Sequence, residues 1–404
     1  MRQALQAAGL DPLRAPFELL VRLGHWGPDE DLELRREAWP LEFSTAALRE
    51  AAEVRQLLQG ETDLRGLPTI SIDAEGTRDV DDALSVQQGP GGWSLWVHLA
   101  LPGAFLKPEG PLFEEALERA TTLYLPDRTV PMLPPLLSEE RLSLCCGQER
   151  PALSLLIELD EGGEPRGLQL LLARIVVDRA LTYEEADEAL GADPLWRQLL
   201  ELAGRLRERR RRRGALIVHW PEVQVRVRDG QVVLRRRDRE GASQMAVSEC
   251  MILANWLIAR WLQERGVAIP YRVQPPMAEP VPVPSGFDPL SWWRLRRSIP
   301  RAQVSLSPAA HAGLGVDPYT FATSPLRRVL DLLVQMQLIG VLRGDGPPFG
   351  PERVQELVVR ARASMERAER LERSRRRYWL LKYLLQRADR ELEAVVLELS
   401  LIHI

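Results

Sequence analysis

Five carboxylates crowd into ten residues, Asp73, Glu75, Asp79, Asp81 and Asp82, between two segments that read as buried strands. Thr69-Ile70-Ser71-Ile72 and Ala83–Gln87 are short, apolar and rich in β-formers. A Gly89-Pro90-Gly91-Gly92 turn and a third run, Trp93–Ala100, follow, with Trp93, Leu95, Val97 and Leu99 alternating onto one face. The acidic stretch is therefore predicted to connect two strands of a sheet rather than to wave in solvent. Carboxylates held that close repel one another and take up positive charge readily. A divalent cation compensates them best, and a donor set of hard oxygens with no cysteine or paired histidine nearby points to Mg²⁺, or Mn²⁺, rather than zinc. Four aspartates suffice for two ions spaced about 3.5–4 Å apart, the arrangement used for in-line phosphoryl hydrolysis.

Charge is distributed to match. The chain of 404 residues carries 53 Lys+Arg against 57 Asp+Glu, a formal net charge of −4, which excludes a sequence-wide polycation that coats nucleic acid. By segment, residues 205–240 hold thirteen arginines against five acids, and residues 351–391 hold twelve basic residues against seven acids. Only Lys107 and Lys382 are lysines, so arginine, whose planar fork suits phosphate, supplies the positive charge. Basic walls around an acidic metal centre are the pattern expected. The three cysteines, Cys145, Cys146 and Cys250, build neither a disulfide framework nor a cysteine zinc site, and fit a reducing cytoplasm. No secretory leader is evident, and the most apolar helix candidate, Met245–Leu262, carries Glu249, Asn255 and Arg260. A cytoplasmic protein without membrane attachment is expected.

The remaining pattern alternates strands and helices, giving an α+β class. Short helices are predicted at Pro16–Leu23, stopped by Gly24, and at Ala46–Leu58 behind a Ser44-Thr45 start. Together they make a small helical amino-terminal domain over 1–62, of helix-turn-helix or winged-helix type. A strand pair, Ala152–Leu159 and Leu168–Val177, flanks Glu161-Gly162-Gly163. Helices follow at Tyr183–Leu190 and Pro194–Arg213, the latter closing on the run Arg209–Arg213, which reads either as a solvated helix end or as a phosphate-contacting patch. Beyond a hairpin around Asp229-Gly230 and a proline-rich link, Pro270–Pro289, Thr323-Ser324-Pro325 is predicted to open a helix with proline at its first position, running to about Leu342. A long helix covers Pro351–Glu391, and Ala394–Ile404 alternate like the first strand of another unit.

Asp73, Asp79, Asp81 and Asp82, at offsets of six, eight and nine, resemble the signature of the ribonuclease II family, the RNB-domain hydrolytic 3′-to-5′ exoribonucleases. Also similar to that family are Leu123-Tyr124-Leu125-Pro126 with Val130-Pro131-Met132-Leu133-Pro134, Thr182–Ala186, Glu249–Asn255, and His311-Ala312-Gly313-Leu314-Gly315. So is Tyr319–Arg328 with Asp331 and Gln335. The resemblance implies an RNB catalytic domain over 63–391, with a mixed or antiparallel sheet among helices; upstream the chain departs from it, with sixty helical residues where many members carry cold-shock barrels. Residues 392–404 would begin a truncated or absent oligonucleotide-binding barrel. It further implies that the four aspartates bind magnesium and orient the attacking water, with Asp81 and Asp82 catalytic and Asp81 the residue whose loss spares binding but stops cleavage. Arg327 would grip the scissile phosphate with Arg328 beside it. Tyr124 would stack on the 3′-terminal base and Glu372 would stand near the active site; His311 reads as structural rather than as a catalytic base. Two positions depart from the pattern: Val329 and Met277 stand where the family has aromatic residues. The implied partner is single-stranded RNA; the missing barrels, which anchor RNA and exclude duplexes, add the expectation of weaker anchoring and better access to structured RNA, and the protein is expected to act as a monomer.

Rival readings of the cluster are narrower. An EF-hand loop beginning at Asp73 would need Gly at its sixth and Glu at its twelfth place, where Arg78 and Leu84 stand. Ile72-Asp73-Ala74-Glu75-Gly76-Thr77 resembles the nucleophile loop of haloacid-dehalogenase phosphatases, which would make Asp73 a covalent nucleophile served by Lys107 or Lys382. Asp73-Ala74-Glu75 also matches the first motif of proofreading-type exonucleases. Neither accounts for Asp79, Asp81 and Asp82, whereas a non-catalytic RNA-binding homologue has no need of them.

Overall fold

Alternate residues of the central strands divide into large and small side chains, and this division builds the middle of the molecule. The computed structural model describes residues 15–54, 61–189, 193–218, 222–228, 230–237, 241–279, 281–284, 288–391 and 393–397. Its strands up to residue 182 are β1 (Thr62–Asp63), β2 (Ile70–Asp73), β3 (Asp82–Gly89), β4 (Gly92–Ala100), β5 (Leu123–Tyr124), β6 (Thr129–Val130), β7 (Glu149–Leu159), β8 (Pro165–Val176) and β9 (Arg179–Thr182). Seven of them form one sheet in the order β1-β8-β7-β4-β3-β2-β9. Pairing is antiparallel except between β1 and β8 and between β2 and β9, so the sheet is mixed and the α+β expectation holds. Leu84, Val86, Leu95, Val97, Leu99, Leu153, Leu155 and Ile157 share one core with the helices Pro194–Arg212 and Ala242–Gln263. The opposite face carries Ala83, Ala100, Ala152 and Ala173, small enough to admit the helix Val329–Arg343 and the loop around Met132. Gly92 closes the β3–β4 turn at φ +143°, where a Cβ would collide with the Leu159 carbonyl.

The helix Ala242–Gln263 is the one described helix long and apolar enough to cross a membrane, but 67% of its apolar window is buried inside the protein. It is the core helix behind the sheet.

His98 lies on the small-residue face, fully buried, with Nδ1 2.7 Å from Ser154 Oγ and Nε2 3.3 Å from Ser85 Oγ. Burial lowers its pKa from 6.5 to about 3. An unfolded ring therefore takes up a proton that the folded ring refuses. Stability is full above the unfolded value and falls as the pH drops towards the folded one, by about 2 kcal/mol at pH 5. Urea titrations at pH 7 and pH 5 should give a loss of this size for the wild type beyond that of His98→Gln; equal losses in the two proteins would contradict it.

Local signals were overridden in four places. The helix behind Ser44 runs only Thr45–Glu53, with the Ser44 hydroxyl capping Ala47 N–H; its last carbonyls, Ala51, Ala52 and Val54, are taken by Arg141 Nη1 at 3.1, 2.8 and 2.9 Å. The rest of that predicted helix, 55–58, lies outside the described residues. Ala47, Ala51 and Val54 share the core of the small-residue face. The proline-rich link holds a strand, Tyr271–Val273, paired with Gln303–Ser305, and the helix Pro289–Ser298 begins where the link was expected to end. The helix predicted to open at Thr323 starts at Val329. Arg328 is extended and bridges Thr121, and Val329 N–H donates to the Ala120 carbonyl, so strand-like pairing outcompetes the proline signal. Finally, the long helix is Pro351–Leu385, and the described residues 393–397 form no strand; 398–404 lie outside the described residues.

Candidate active site

The acidic loop is shaped by its own backbone. Asp73 closes β2, Gly76 turns the chain at φ +82°, and Thr77 N–H returns to the Ala74 carbonyl. Ser143 then staples the second half: its hydroxyl accepts Val80 N–H (2.9 Å) and donates to the Arg78 carbonyl (2.7 Å). Asp82 opens β3. Between them Asp81 is 2% exposed. Its Oδ1 accepts Leu326 N–H at 2.9 Å, and its Oδ2 accepts Arg327 Nε at 2.8 Å. Asp79 Oδ2 accepts the Tyr124 hydroxyl at 2.5 Å, and Tyr124 N–H donates to Glu372 Oε1 at 3.1 Å. Six of the eight predicted site residues thus form one connected set around the loop, namely Asp73, Asp79, Asp81, Asp82, Tyr124 and Arg327, with Glu372 bonded behind Tyr124.

Arg327 does not sit inside a helix start, as the sequence suggested. It lies in the turn before it, its Nη2 donating to Ser324 Oγ at 3.0 Å, so the helix N-terminus supplies it no anion-binding help. Arg328, the eighth residue, is directed elsewhere: its Nη2 donates to Asp331 Oδ1 (2.7 Å), which also accepts Ser324 N–H (2.9 Å). Asp331 is fully buried, and the sequence assigned it, Ser143 and Ser324 no role; Asp331 and Ser324 carried a signal in the segment around the arginine pair, and Ser143 none.

Charge in the set is unbalanced. Burial, opposed by Arg327 and reinforced by Asp79, lifts Asp73 to about 6. Asp81 rises to about 7, chiefly through burial, with Arg327 acting against it. Asp82 rises well above the usual carboxylate range through burial and the nearby Asp73 and Asp81. For Arg327, burial opposes the charge, but Asp81 and its other anionic neighbours raise its pKa further. Arg327, with a smaller contribution from Arg328, faces four carboxylates, and carboxylates so placed attract cations. The donor set, oxygen only, fits a hard divalent ion. Among the described residues no three acidic, histidine or cysteine side chains already stand at ligand spacing. Asp81 and Asp79 are turned to Arg327 and Tyr124 instead.

Other predicted features resolve differently. In the run Arg209–Arg213, Arg209 and Arg213 pair with Glu164, Arg211 and Arg212 with Glu208, and buried Arg210 with Glu249. It is a paired helix end, not an open phosphate patch. His311 is 6% exposed, its N–H on the Val316 carbonyl and its ring edge-on to Tyr319. Lys107 stands 4.0 Å from Glu53 on the surface and Lys382 pairs with Asp29, so neither lysine is placed to serve Asp73 as a phosphatase reading requires.

The model of the RNB domain matches residues 61–282 and 283–344. This chain belongs to the RNB-domain ribonuclease family. Among curated RNB relatives, an uncharacterized ribonuclease of Synechocystis is 36% identical over 395 residues, covering 94% of this chain and 59% of the relative. Ribonuclease R of Thermotoga maritima is 32% identical over 372 residues, covering 78% and 52%. The chain therefore spans a little over half the length of these relatives. Among solved structures, Mycoplasma genitalium RNase R in complex with single-stranded RNA shares the RNB fold at TM-score 0.76 and 20% identity, covering 88% of this chain and 64% of that one. Yeast Ssd1, described as a pseudonuclease, shares it at TM-score 0.63 and 17% identity, covering 80% and 46%.

Proposed function

We propose that this chain hydrolyses single-stranded RNA processively from its 3′ end, releasing nucleoside 5′-monophosphates with the help of two divalent ions. The observation that carries this reading is the convergence of four mutually repelling carboxylates on Arg327, with Tyr124 at the edge of the same set. Asp73, Asp79, Asp81 and Asp82 would hold magnesium, with manganese as a substitute. Bound there, the metal would supply an activated water and neutralise charge at the phosphate. Arg327 offers a guanidinium held by Asp81 and Ser324, aimed where negative charge grows as the phosphodiester breaks. Tyr124 is 48% exposed, which leaves ring surface for a terminal base, and stacking of that kind is indifferent to sequence. Glu372 positions this tyrosine through its backbone N–H. Among the described residues no Ser, Cys or His is hydrogen-bonded to the four aspartates, whose partners are Tyr124, Leu326 and Arg327, which favours water as the nucleophile.

The second reading, a non-catalytic RNA-binding homologue, draws on the likeness to Ssd1. The full set of aspartates speaks against it, since buried like charges cost stability that a binder has no reason to bear. Incubation with a 5′-labelled oligoribonucleotide and Mg²⁺ is expected to give a ladder of shortened labelled products, abolished by EDTA and restored by added Mg²⁺ or Mn²⁺. Matched oligodeoxyribonucleotide should be cut far less, because the 2′-hydroxyl distinguishes the two. RNA bound but uncut would leave the binding-only reading standing.

A further inference from the structure

Glu75 stands two residues beyond Asp73 and has no part in the chemistry above. Its carboxylate lies 3.8 Å from Arg226, 3.8 Å from Arg228 and 3.5 Å from Arg235. These arginines belong to a hairpin, β10 (Glu222–Arg228) and β11 (Gln231–Arg237). Register explains their meeting: with Gln224 opposite Arg235 and Arg226 opposite Val233, the three share one face. The other face, Val225, Val227, Val232 and Leu234, packs on Trp379, Leu380 and Tyr383 of the long helix. Two hydrogen bonds to the hairpin backbone fix the frame, Val227 N–H to the Pro126 carbonyl at 2.8 Å and Arg376 Nη2 to the Val223 carbonyl at 2.5 Å. The hairpin is thus anchored beside the segment that carries Tyr124, and it turns three guanidiniums towards the acidic loop.

Their contact with Glu75 is loose. At 3.5–3.8 Å the pairs are longer than hydrogen bonds, and the side chains of Glu75, Arg228 and Arg235 are each 57% exposed. Exposed ion pairs of this kind hold weakly and are screened by salt. Three cations share one anion, which leaves an excess of positive charge on a rigid surface next to the acidic loop. Guanidinium forks match phosphate oxygens better than they match a single distant carboxylate.

We infer that the outward face of β10–β11 is a phosphate-backbone subsite for RNA, formed by Arg226, Arg228 and Arg235, and that Glu75 is its placeholder, displaced when a phosphodiester arrives. The subsite rests on RNA being the substrate. It is sequence-blind, and it couples entry of the strand to release of the loop that carries Asp73 and Asp79.

The test uses the full chain with Asp81→Asn, so that RNA is bound without being cut, and reads fluorescence anisotropy of a labelled oligoribonucleotide across a salt series. The triple variant R226Q/R228Q/R235Q is expected to bind about tenfold more weakly, and its salt dependence should fall by about 2 in the log–log slope, near 0.7 per lost phosphate contact. Oligo(U) and oligo(A) should suffer alike. E75Q is expected to act in the opposite direction, tightening binding about threefold by freeing the arginines. Lysine at all three positions should keep the slope while losing part of the affinity. Unchanged affinity and slope in the triple variant, or weaker binding in E75Q, overturns the subsite alone. Failure of both the Asp81→Asn protein and the wild type in EDTA to bind RNA overturns the ribonuclease reading and the subsite with it.

Discussion

Asp81→Asn is expected to slow RNA shortening by at least about 10³-fold while RNA remains bound, the scale seen when one preorganised charged or polar group is lost from a reacting centre. The geometry explains why binding survives. Asparagine has the size of aspartate, and its carbonyl oxygen can still accept Leu326 N–H, so the turn before the helix Val329–Arg343 keeps its shape. What is lost is the negative charge that faces Arg327 and joins Asp73, Asp79 and Asp82 in attracting cations. Single-turnover cleavage of a labelled oligoribonucleotide, with anisotropy on the same sample, separates the two effects. Retention of a tenth or more of the wild-type rate would show that Asp81 is dispensable, and weakened binding with an unchanged rate would reassign it to substrate capture.

Arg327 should show the other large effect. Arg327→Ala is expected to lower kcat by about 10³-fold and Arg327→Lys by about 10²-fold, because lysine keeps a charge but not the fork that reaches both a carboxylate and a phosphate. The fork is used: Nε donates to Asp81 and Nη2 to Ser324 Oγ, which fixes the plane of the guanidinium before any substrate arrives. Alanine also leaves Asp81 buried without its counter-charge, so a fall in stability is expected for Arg327→Ala and a smaller one for Arg327→Lys. Comparing kcat with KM across the pair, alongside Tm, distinguishes the roles. A change confined to KM would make Arg327 a strand-binding residue, and a lysine variant as active as wild type would remove the fork from the argument.

What could be read in the chain was local. Strand alternation at Trp93, Leu95, Val97 and Leu99 survives because side chains of a strand alternate whatever the rest of the protein does. The aspartate spacing survives for a similar reason: ten residues that leave one strand and enter the next keep their carboxylates together in any compact fold. The apolar helix Ala242–Gln263 likewise follows from a local pattern, whereas the parallel pairings that make the sheet mixed, β1 with β8 and β2 with β9, join segments far apart in the chain.

Contacts across the chain decided the rest. Asp81 meets Leu326 and Arg327 across 245 and 246 residues, and Tyr124 meets Glu372 across 248. No local pattern states such pairings, and they turned a predicted helix start at Thr323 into a turn that delivers Arg327 to Asp81. The basic runs show the same limit: the sequence leaves Arg209–Arg213 open as a solvated helix end or a phosphate patch, and Glu164, Glu208 and Glu249 settle it as a paired helix end. Arg226, Arg228 and Arg235, counted in the sequence only within the basic segment 205–240, are brought instead to a single loose carboxylate. Periodicity and spacing determine which residues share a face, because backbone geometry is short-ranged. Which charges find partners depends on where the folded chain crosses itself, and only the tertiary structure decided that.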